Sequence, residues 1–171
     1  NGAIYFADGT SGTSAYRGIL SYSHNDDAMD FGTASTAARV RINSSGNVGI
    51  GTTNPQQLLH VSANNPGGKI RLEMGQAGVA NGDVTGEIQF YHNDSSGAGV
   101  NADIKGICTN SIGAGALTFG TGTTSTTERM RIDTSGNVGI GTTSVAGATK
   151  LDIRFSGRSG INVGSTNGAG S

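Results

Sequence analysis

A ten-residue segment that occurs twice constrains the fold of this chain more than any other feature. The segment SSGNVGIGTT covers residues 44–53, and TSGNVGIGTT covers residues 134–143. Glycine-rich segments can bind phosphate, but the dinucleotide-binding fingerprint needs a third glycine where Asn54 and Ser144 stand. The Walker loop needs a Gly-Lys-Ser/Thr sequence, which is absent here. The repeat therefore matches neither nucleotide-binding motif.

Each copy of the repeat, together with the residues before it, fits a β-hairpin. With a three-residue turn at 44–46, Ile42 faces Val48 and Val40 faces Ile50, so four aliphatic side chains share one face. A two-residue turn would split that face between the two sides of the sheet. The same register in the second copy predicts an apolar face made of Met130, Ile132, Val138 and Ile140. We expect these eight residues to lie in a core or between chains.

Glycines occupy two kinds of position in each predicted hairpin. The last residue of a three-residue turn commonly has a positive φ, so we predict Gly46 and Gly136 as the structural turn residues. On the polar face of the first hairpin, Arg41 opposes Gly49, and the second hairpin repeats this pairing. A long cation over a bare backbone fits a crowded surface or a second chain nearby.

The composition is that of an ordered chain that cannot cover its own core. Ile, Leu, Val and Phe make up 33 of the 171 residues, there are 30 glycines, and there is no Trp. Disorder with so few apolar residues usually needs a high net charge, but here it is −1. We therefore expect the apolar side chains to be buried against further copies of the chain. The near-neutral charge gives no basic surface for nucleic acid, and no apolar run is long enough for membrane insertion.

The internal repeat extends beyond the hairpin and defines the organisation of the chain. Residues 18–26 (GILSYSHND) resemble residues 86–94 (GEIQFYHND), and the two hairpins follow at a different offset. Repeats of this length indicate a stacked array. We predict a first unit at 1–69, a second at 70–160, and the start of a third at 161–171. The second unit carries an extra hairpin at about 95–118.

Nearly every segment is typical of a short strand, which predicts an all-β fold. The runs are β-branched or alternating and are bounded by Gly, Ser, Thr or Asn. No window shows a convincing helical period. The predicted strands of the first unit and of the start of the second are residues 4–7, 18–23, 39–43, 47–50, 58–62 and 70–73.

The His-Asn-Asp triplets are the most site-like motif. Three chains could bring copies of His24 or His92 around one axis to bind a metal, because imidazole is a common ligand. Asp26 and Asp27 could act as acid and base on a glycan. A polar turn after a strand is the simplest interpretation, because Asn and Asp hydrogen-bond to their own backbone. The triplets therefore call for no catalytic residue and no cofactor.

Two further features have structural and functional interpretations. The stretch TGTTSTTE at 121–128 could present threonines to ice or carbohydrate, although its composition is also that of a polar link between strands. Cys108 is the single cysteine, which excludes an intrachain disulfide framework and makes a small core residue the simplest interpretation.

The motif ERMRIDTSGNVGIGTTS…KLDI, with its sibling ARVRINSSGNVGIGTTNPQQLLHVS, resembles the shaft repeats of tailed-bacteriophage tail fibres. In that family such repeats often precede an intramolecular chaperone domain. The resemblance implies an elongated, fibrous array of short strands, intertwined as a homotrimer of the β-prism or triple-β-helix type. It also implies a non-enzymatic, extracellular virion protein in host attachment, whose partners are itself, other fibre segments and host surface glycans.

Two other functions fit the same sequence. A bacterial adhesin or extracellular filament subunit would use the same repeats, and a tailspike-like enzyme would degrade surface polysaccharide. A chaperone domain downstream or a secretion signal upstream would separate the first alternative from the fibre. Turnover of glycan by the purified protein would support the enzyme.

Overall fold

The computed structural model of the protein describes residues 2–34, 36–147 and 149–155. These residues form an all-β structure with two compact units, Asn1–Arg71 and Leu72–Ser171. The predicted boundary at 69/70 lies two residues before the observed one. The predicted end of the second unit and the predicted third unit at 161–171 lie outside the described residues.

The first unit contains one open six-stranded sheet. Its strands follow one another in both sequence and space, from β1 at one edge to β6 at the other. Neighbours are antiparallel except β5 and β6, which are parallel. A short 3-10 helix, Gly12–Tyr16, connects the first two strands. The strands are β1 Gly2–Phe6, β2 Gly18–Ser23, β3 Ala28–Thr33, β4 Thr36–Ile42, β5 Val48–Ile50 and β6 Leu59–Val61.

The second unit contains a sheet of the same topology, in which the strands that come first along the chain are longer. It too is open and six-stranded, and only its last pair is parallel. Its first three strands have nine, ten and eight residues. The strands are β7 Val84–His92, β8 Gly99–Cys108, β9 Gly115–Gly122, β10 Thr126–Ile132, β11 Val138–Ile140 and β12 Leu151–Ile153.

The two predicted hairpins form with the predicted register. In β4–β5, Val40 pairs with Ile50 and Ile42 with Val48, and β10–β11 repeats the arrangement. At the turn, the Asn43 side-chain oxygen accepts hydrogen bonds from the backbone N–H groups of Ser45 (3.0 Å) and Asn47 (2.9 Å). The hydrogen bonds of the Asn43 side chain therefore stabilise the three-residue turn, and this turn sets the register that aligns the aliphatic residues.

The turn glycines have positive φ. Gly46 has φ 80° and Gly136 has φ 74°, a region that costs a residue with a Cβ free energy. In the second hairpin Asp133 replaces asparagine and accepts hydrogen bonds from the backbone N–H groups of Ser135 (2.9 Å) and Asn137 (2.8 Å). The hydrogen bonds from Asn137 and Ser135 lower the pKa of Asp133, because they favour the ionised carboxylate.

The other two glycines of the first repeat, Gly49 and Gly51, allow a tight connection between the parallel strands β5 and β6. A Cβ on Gly49 would lie 2.5 Å from the carbonyl oxygen of Thr52, so the loop after β5 passes directly over this glycine. Gly51 has φ 75°, and a Cβ there would lie 2.0 Å from the carbonyl oxygen of Ser62. The crossover, residues 51–58, is shorter than the dozen or so residues that parallel strands usually need. The loop after β5 therefore explains why a glycine stands opposite Arg41. A second chain is not needed to account for it.

Segments of the two units that match in sequence keep similar local contacts, but they occupy different positions in the strand order of the two sheets. The predicted strand at 70–73 is not assigned as a strand, although Leu72 lies beside β7: a Cβ on Gly86 would be 2.7 Å from the Leu72 Cβ. This resembles the first unit, where a Cβ on Gly18 would lie 3.1 Å from the Phe6 side chain. By sequence, β7 therefore corresponds to β2.

The segment expected as an extra hairpin is an integral part of the second sheet. Residues 95–118 contain all of β8 and the beginning of β9, which pair along seven registered positions. In the spatial order of strands, β8 lies between β7 and β9 and so has neighbours on both sides. The segment therefore adds an inner strand between the β2-like and β3-like strands of this unit.

We expect alanine substitutions at two glycines of one hairpin to differ in cost. Gly46→Ala meets open space and should cost about 1–2 kcal/mol through its positive φ alone. Gly51→Ala adds a clash with the Ser62 carbonyl and should cost at least twice as much. Urea unfolding at one fixed protein concentration measures both, and equal costs would contradict the crossover geometry.

Candidate interaction faces

One face of the first sheet is made of apolar side chains from all six strands. Register partners in neighbouring strands lie on the same face, so the aliphatic face of the hairpin continues across the sheet in both directions. We call this surface the first apolar face. It consists of Ile4, Phe6, Leu20, Tyr22, Met29, Phe31, Val40, Ile42, Val48, Ile50, Leu59 and Val61.

The second sheet has a corresponding surface, the second apolar face. It too extends from the first strand of the sheet to the last and contains no charged residue. It consists of Ile88, Phe90, Ile104, Leu117, Phe119, Met130, Ile132, Val138, Ile140, Leu151 and Ile153.

Burial in these sheets is the reverse of the usual arrangement. In β3 the Phe31 side chain is 44% exposed, whereas its neighbour Asp30, on the opposite face, is 6% exposed. In β9 Leu117 is 41% exposed and its neighbour Thr118 is 4% exposed. Single exposed apolar residues are normal, but a continuous face of them marks an interaction site. The polar faces are thus the covered ones within a single chain.

The polar face of the first sheet is held by a cross-strand ion pair. Arg41 donates from Nε and Nη2 to the two carboxylate oxygens of Asp30, each at 2.7 Å. These bonds raise the pKa of Arg41, although burial acts in the opposite direction. A second carboxylate, Asp26, lies 3.4 Å from Arg41 Nη1. A planar guanidinium with two parallel bonds suits such a buried position.

The polar face of the second sheet has a network around Lys105. Its ammonium lies 2.9 Å from Asp103 and 3.3 Å from Glu87 on the neighbouring strand. Asp103 also accepts a hydrogen bond from the Thr126 hydroxyl. Burial opposes ionisation of Asp103, but the bonds from Thr126 and Lys105 and the charge of Lys105 outweigh it, so its pKa lies below the usual value.

The second arginine, Arg131, finds its carboxylate partner within its own strand, across a β-bulge. The ladder between β9 and β10 shifts between Glu128 and Met130, which leaves Arg129 as the extra residue. Residues i and i+3 of a regular strand point to opposite faces, but the extra residue returns Glu128 and Arg131 to one face. Arg131 Nε accordingly lies 2.6 Å from Glu128 Oε1, within the same strand.

The first His-Asn-Asp triplet forms the turn between β2 and β3. The His24 ring packs edge-to-face against Tyr22, with centroids 4.9 Å apart. Asp26 accepts from Ser23 Oγ at 3.2 Å, while Asp27 accepts from the Tyr22 hydroxyl. The two carboxylates therefore have different partners, as expected for a polar turn.

The second triplet also lies where a strand ends, but it contacts a distant segment. His92 Nε2 lies 3.0 Å from the carbonyl oxygen of Thr123, and Asp94 accepts from the backbone N–H of Ser96 at 2.8 Å. Within residues 2–34, 36–147 and 149–155, no three His, Cys, Asp or Glu side chains group as metal ligands. A metal site shared between copies through His24 or His92 stays a prediction.

Sequence reasoning located only part of the two apolar faces. The residues of the hairpins were predicted, but those of β3 and β9 were not proposed as interface residues, although Phe31 and Phe119 lie at the centre of each face. The available signal was the tripeptide FGT, which occurs at 31–33 and again at 119–121.

No protein-family model matches the chain, and no curated protein matches it. In the part of the chain that the structure describes, no helix has the length and apolar character needed to span a bilayer.

The lowered pKa of Asp103 predicts a pH-dependent contribution to stability. A carboxyl group with a lower pKa in the folded chain stabilises the fold above its unfolded value of about 3.9, and this contribution is lost as the pH falls through the folded value. Asp103→Asn should therefore cost about 1–3 kcal/mol at neutral pH and progressively less below about pH 4.

Urea unfolding of the wild type and the variant across this pH range measures the difference. Asp8→Asn is the matched control, because Asp8 forms an exposed ion pair with Arg17 at 3.7 Å. Such pairs contribute about 0–1 kcal/mol. Equal losses in both variants would contradict the role of the buried network.

Proposed function

We propose that this chain is a structural shaft module of a bacteriophage tail fibre, assembled as a homotrimer, that supports attachment to the host cell. One observation carries the proposal: each sheet has a continuous apolar face whose side chains the chain itself leaves exposed or only partly covered. The fibre-like repeat motif gives the biological setting, and the apolar faces give the physical reason for assembly.

The chemistry of the faces favours a permanent partner. Obligate interfaces are more apolar than transient ones, and charged residues are depleted from their centres. Neither apolar face contains a charged residue. A second copy of the chain offers a matching surface of the same composition, so the proposed partner is the chain itself.

The size of the faces also fits oligomerisation. Six strands about 4.8 Å apart span about 24 Å, and five residues extend about 17 Å, so each face covers about 400 Å². Two such faces give about 800 Å² per protomer, the area that one partner contributes to a standard stable interface. Each face alone is as large as the largest apolar patch of a typical soluble monomer, about 300–600 Å², and this chain has two such faces.

Three copies would enclose these faces in a closed arrangement. With one sheet as each wall of a prism, the apolar faces point to the three-fold axis and the polar faces, with their ion pairs, point outward. A three-fold axis lets a fibre extend along its length without lateral growth. In this arrangement the chain acts mechanically, as a stiff spacer.

We expect a charge on an apolar face to disrupt the oligomer. The wild-type chain should assemble to a mass of about 51 kDa by light scattering, three times the 17.1 kDa of one copy. Ile50→Asp and Ile140→Asp should lower that mass, because each places a carboxylate in an apolar contact. Ile112→Asp is the matched control, since Ile112 is exposed in the β8–β9 turn, outside the apolar faces.

A wild-type mass of one or two chains would refute the trimer. Retention of the trimer by both apolar-face variants would instead show that other surfaces hold the copies together. Circular dichroism of each variant separates loss of the oligomer from loss of the fold.

The location of the protein tests the biological part of the proposal. Gold-labelled antibody against the protein should mark the tail fibres of virions in electron micrographs. Labelling of a bacterial surface without virions would support the adhesin or filament alternative.

A further inference from the structure

Two motifs that the sequence analysis treated separately meet at one end of the second sheet. The β7–β8 turn at residues 93–98 contains the last two residues of the second His-Asn-Asp triplet, and the β9–β10 turn at 123–125 belongs to the threonine-rich stretch. Together they border an open recess of about 410 Å³. Its lining residues are His92, Ser96, Gly97, Asn101, Gly122, Thr123 and Thr124.

The recess is built on backbone that is held in place. A Cβ on Gly99 would lie 2.3 Å from the carbonyl oxygen of Thr124, so the two turns touch through their main chains. The His92 ring is fixed by its contact with the Thr123 carbonyl oxygen, 3.0 Å away. Ser96 is fixed by the Asp94 carboxylate, which accepts from its backbone N–H at 2.8 Å. The recess therefore exists before any ligand arrives.

A β-bulge in β8 places the polar residue Asn101 in the lining of the recess. Between Phe90 and Tyr91 the β7–β8 register shifts, and Asn101 is the extra residue on β8. Bulges often redirect a side chain next to a functional site. Among the described residues, no hydrogen-bond partner is found for the Asn101 amide or for the Thr123 and Thr124 hydroxyls. Donors and acceptors thus remain available at one recess.

The chemistry of the lining selects one class of ligand. No Asp, Glu, Lys or Arg lines the recess, so neither a metal cation nor a phosphate or carboxylate finds an opposite charge. The lining also has no large apolar side chain for a hydrophobic ligand. Its volume lies within the usual range for small-molecule sites, about 300–1,000 Å³. We propose that this recess binds a neutral saccharide, whose hydroxyl groups match the free amide and hydroxyls.

Among its described residues, the first unit lacks the bulge on which this site depends. Its β1–β2 and β2–β3 ladders run without a bulge, and its own His-Asn-Asp triplet closes a turn that contacts Tyr22 and Arg41. The recess therefore depends on the added segment at 95–118, which supplies the bulge and one of the two turns. The proposal extends the attachment role but rests on residues of a single unit, so it does not require the trimer.

Saturation-transfer difference NMR on the purified protein tests the site. The probes are glucose, galactose and N-acetylglucosamine at millimolar concentration, with N-acetylneuraminic acid as the charged comparison. At least one neutral sugar should give a signal. Asn101→Ala and Thr124→Val should each weaken its binding about three- to tenfold, the effect of one lost hydrogen bond.

Thr53→Val is the matched control, because Thr53 is an exposed threonine of the first unit, and it should leave binding unchanged. No signal from any neutral sugar would overturn the proposal, and so would binding as tight as that of the wild type in both recess variants. Tighter binding of N-acetylneuraminic acid would show that the ligand class is wrong. Light scattering on the same samples reports the oligomer separately, so failure of the fibre proposal would be seen independently.

Discussion

The separation of charge from apolar surface across each sheet is the constraint on which this structure depends. The Arg41–Asp30 pair and the Lys105–Asp103 pair lie on faces that the chain covers with its own side chains and crossover loops. A buried charge is tolerated only when it is paired and hydrogen-bonded. The side chains and loops of one chain cover the polar face of each sheet. The apolar faces are left available to a partner. The ion pairs and the proposed assembly are thus two consequences of one arrangement.

The features that could be predicted from the sequence are those set by near neighbours. Alternation, turn length and an Asn or Asp at the start of the turn fix the register of β4–β5 and β10–β11, and all of these lie within about fifteen residues. Gly46 and Gly136 follow from the same local rule, because a three-residue turn needs a residue with positive φ. Here the local preference and the final fold agree.

The features that could not be predicted depend on distant contacts. Strand β3 was missed because Asp30 interrupts its apolar run, and only the pairing with Arg41 makes that residue compatible with a strand. The parallel pairing of β5 with β6 was missed because such crossovers are usually longer. The recess at His92 joins segments about thirty residues apart, and neither segment indicates the other.

The bulge at Arg129 has a consequence for how such units can diverge. In the first unit the central arginine depends on a carboxylate from the adjoining strand, so β3 and β4 must change together. In the second unit the arginine finds its carboxylate within β10, and the adjoining position is the neutral Thr118. A hairpin that carries its own counter-ion can be copied beside an unrelated strand without leaving a charge unmatched. This autonomy would let a repeat array accept new inner strands, such as β8, while its hairpins stay the same.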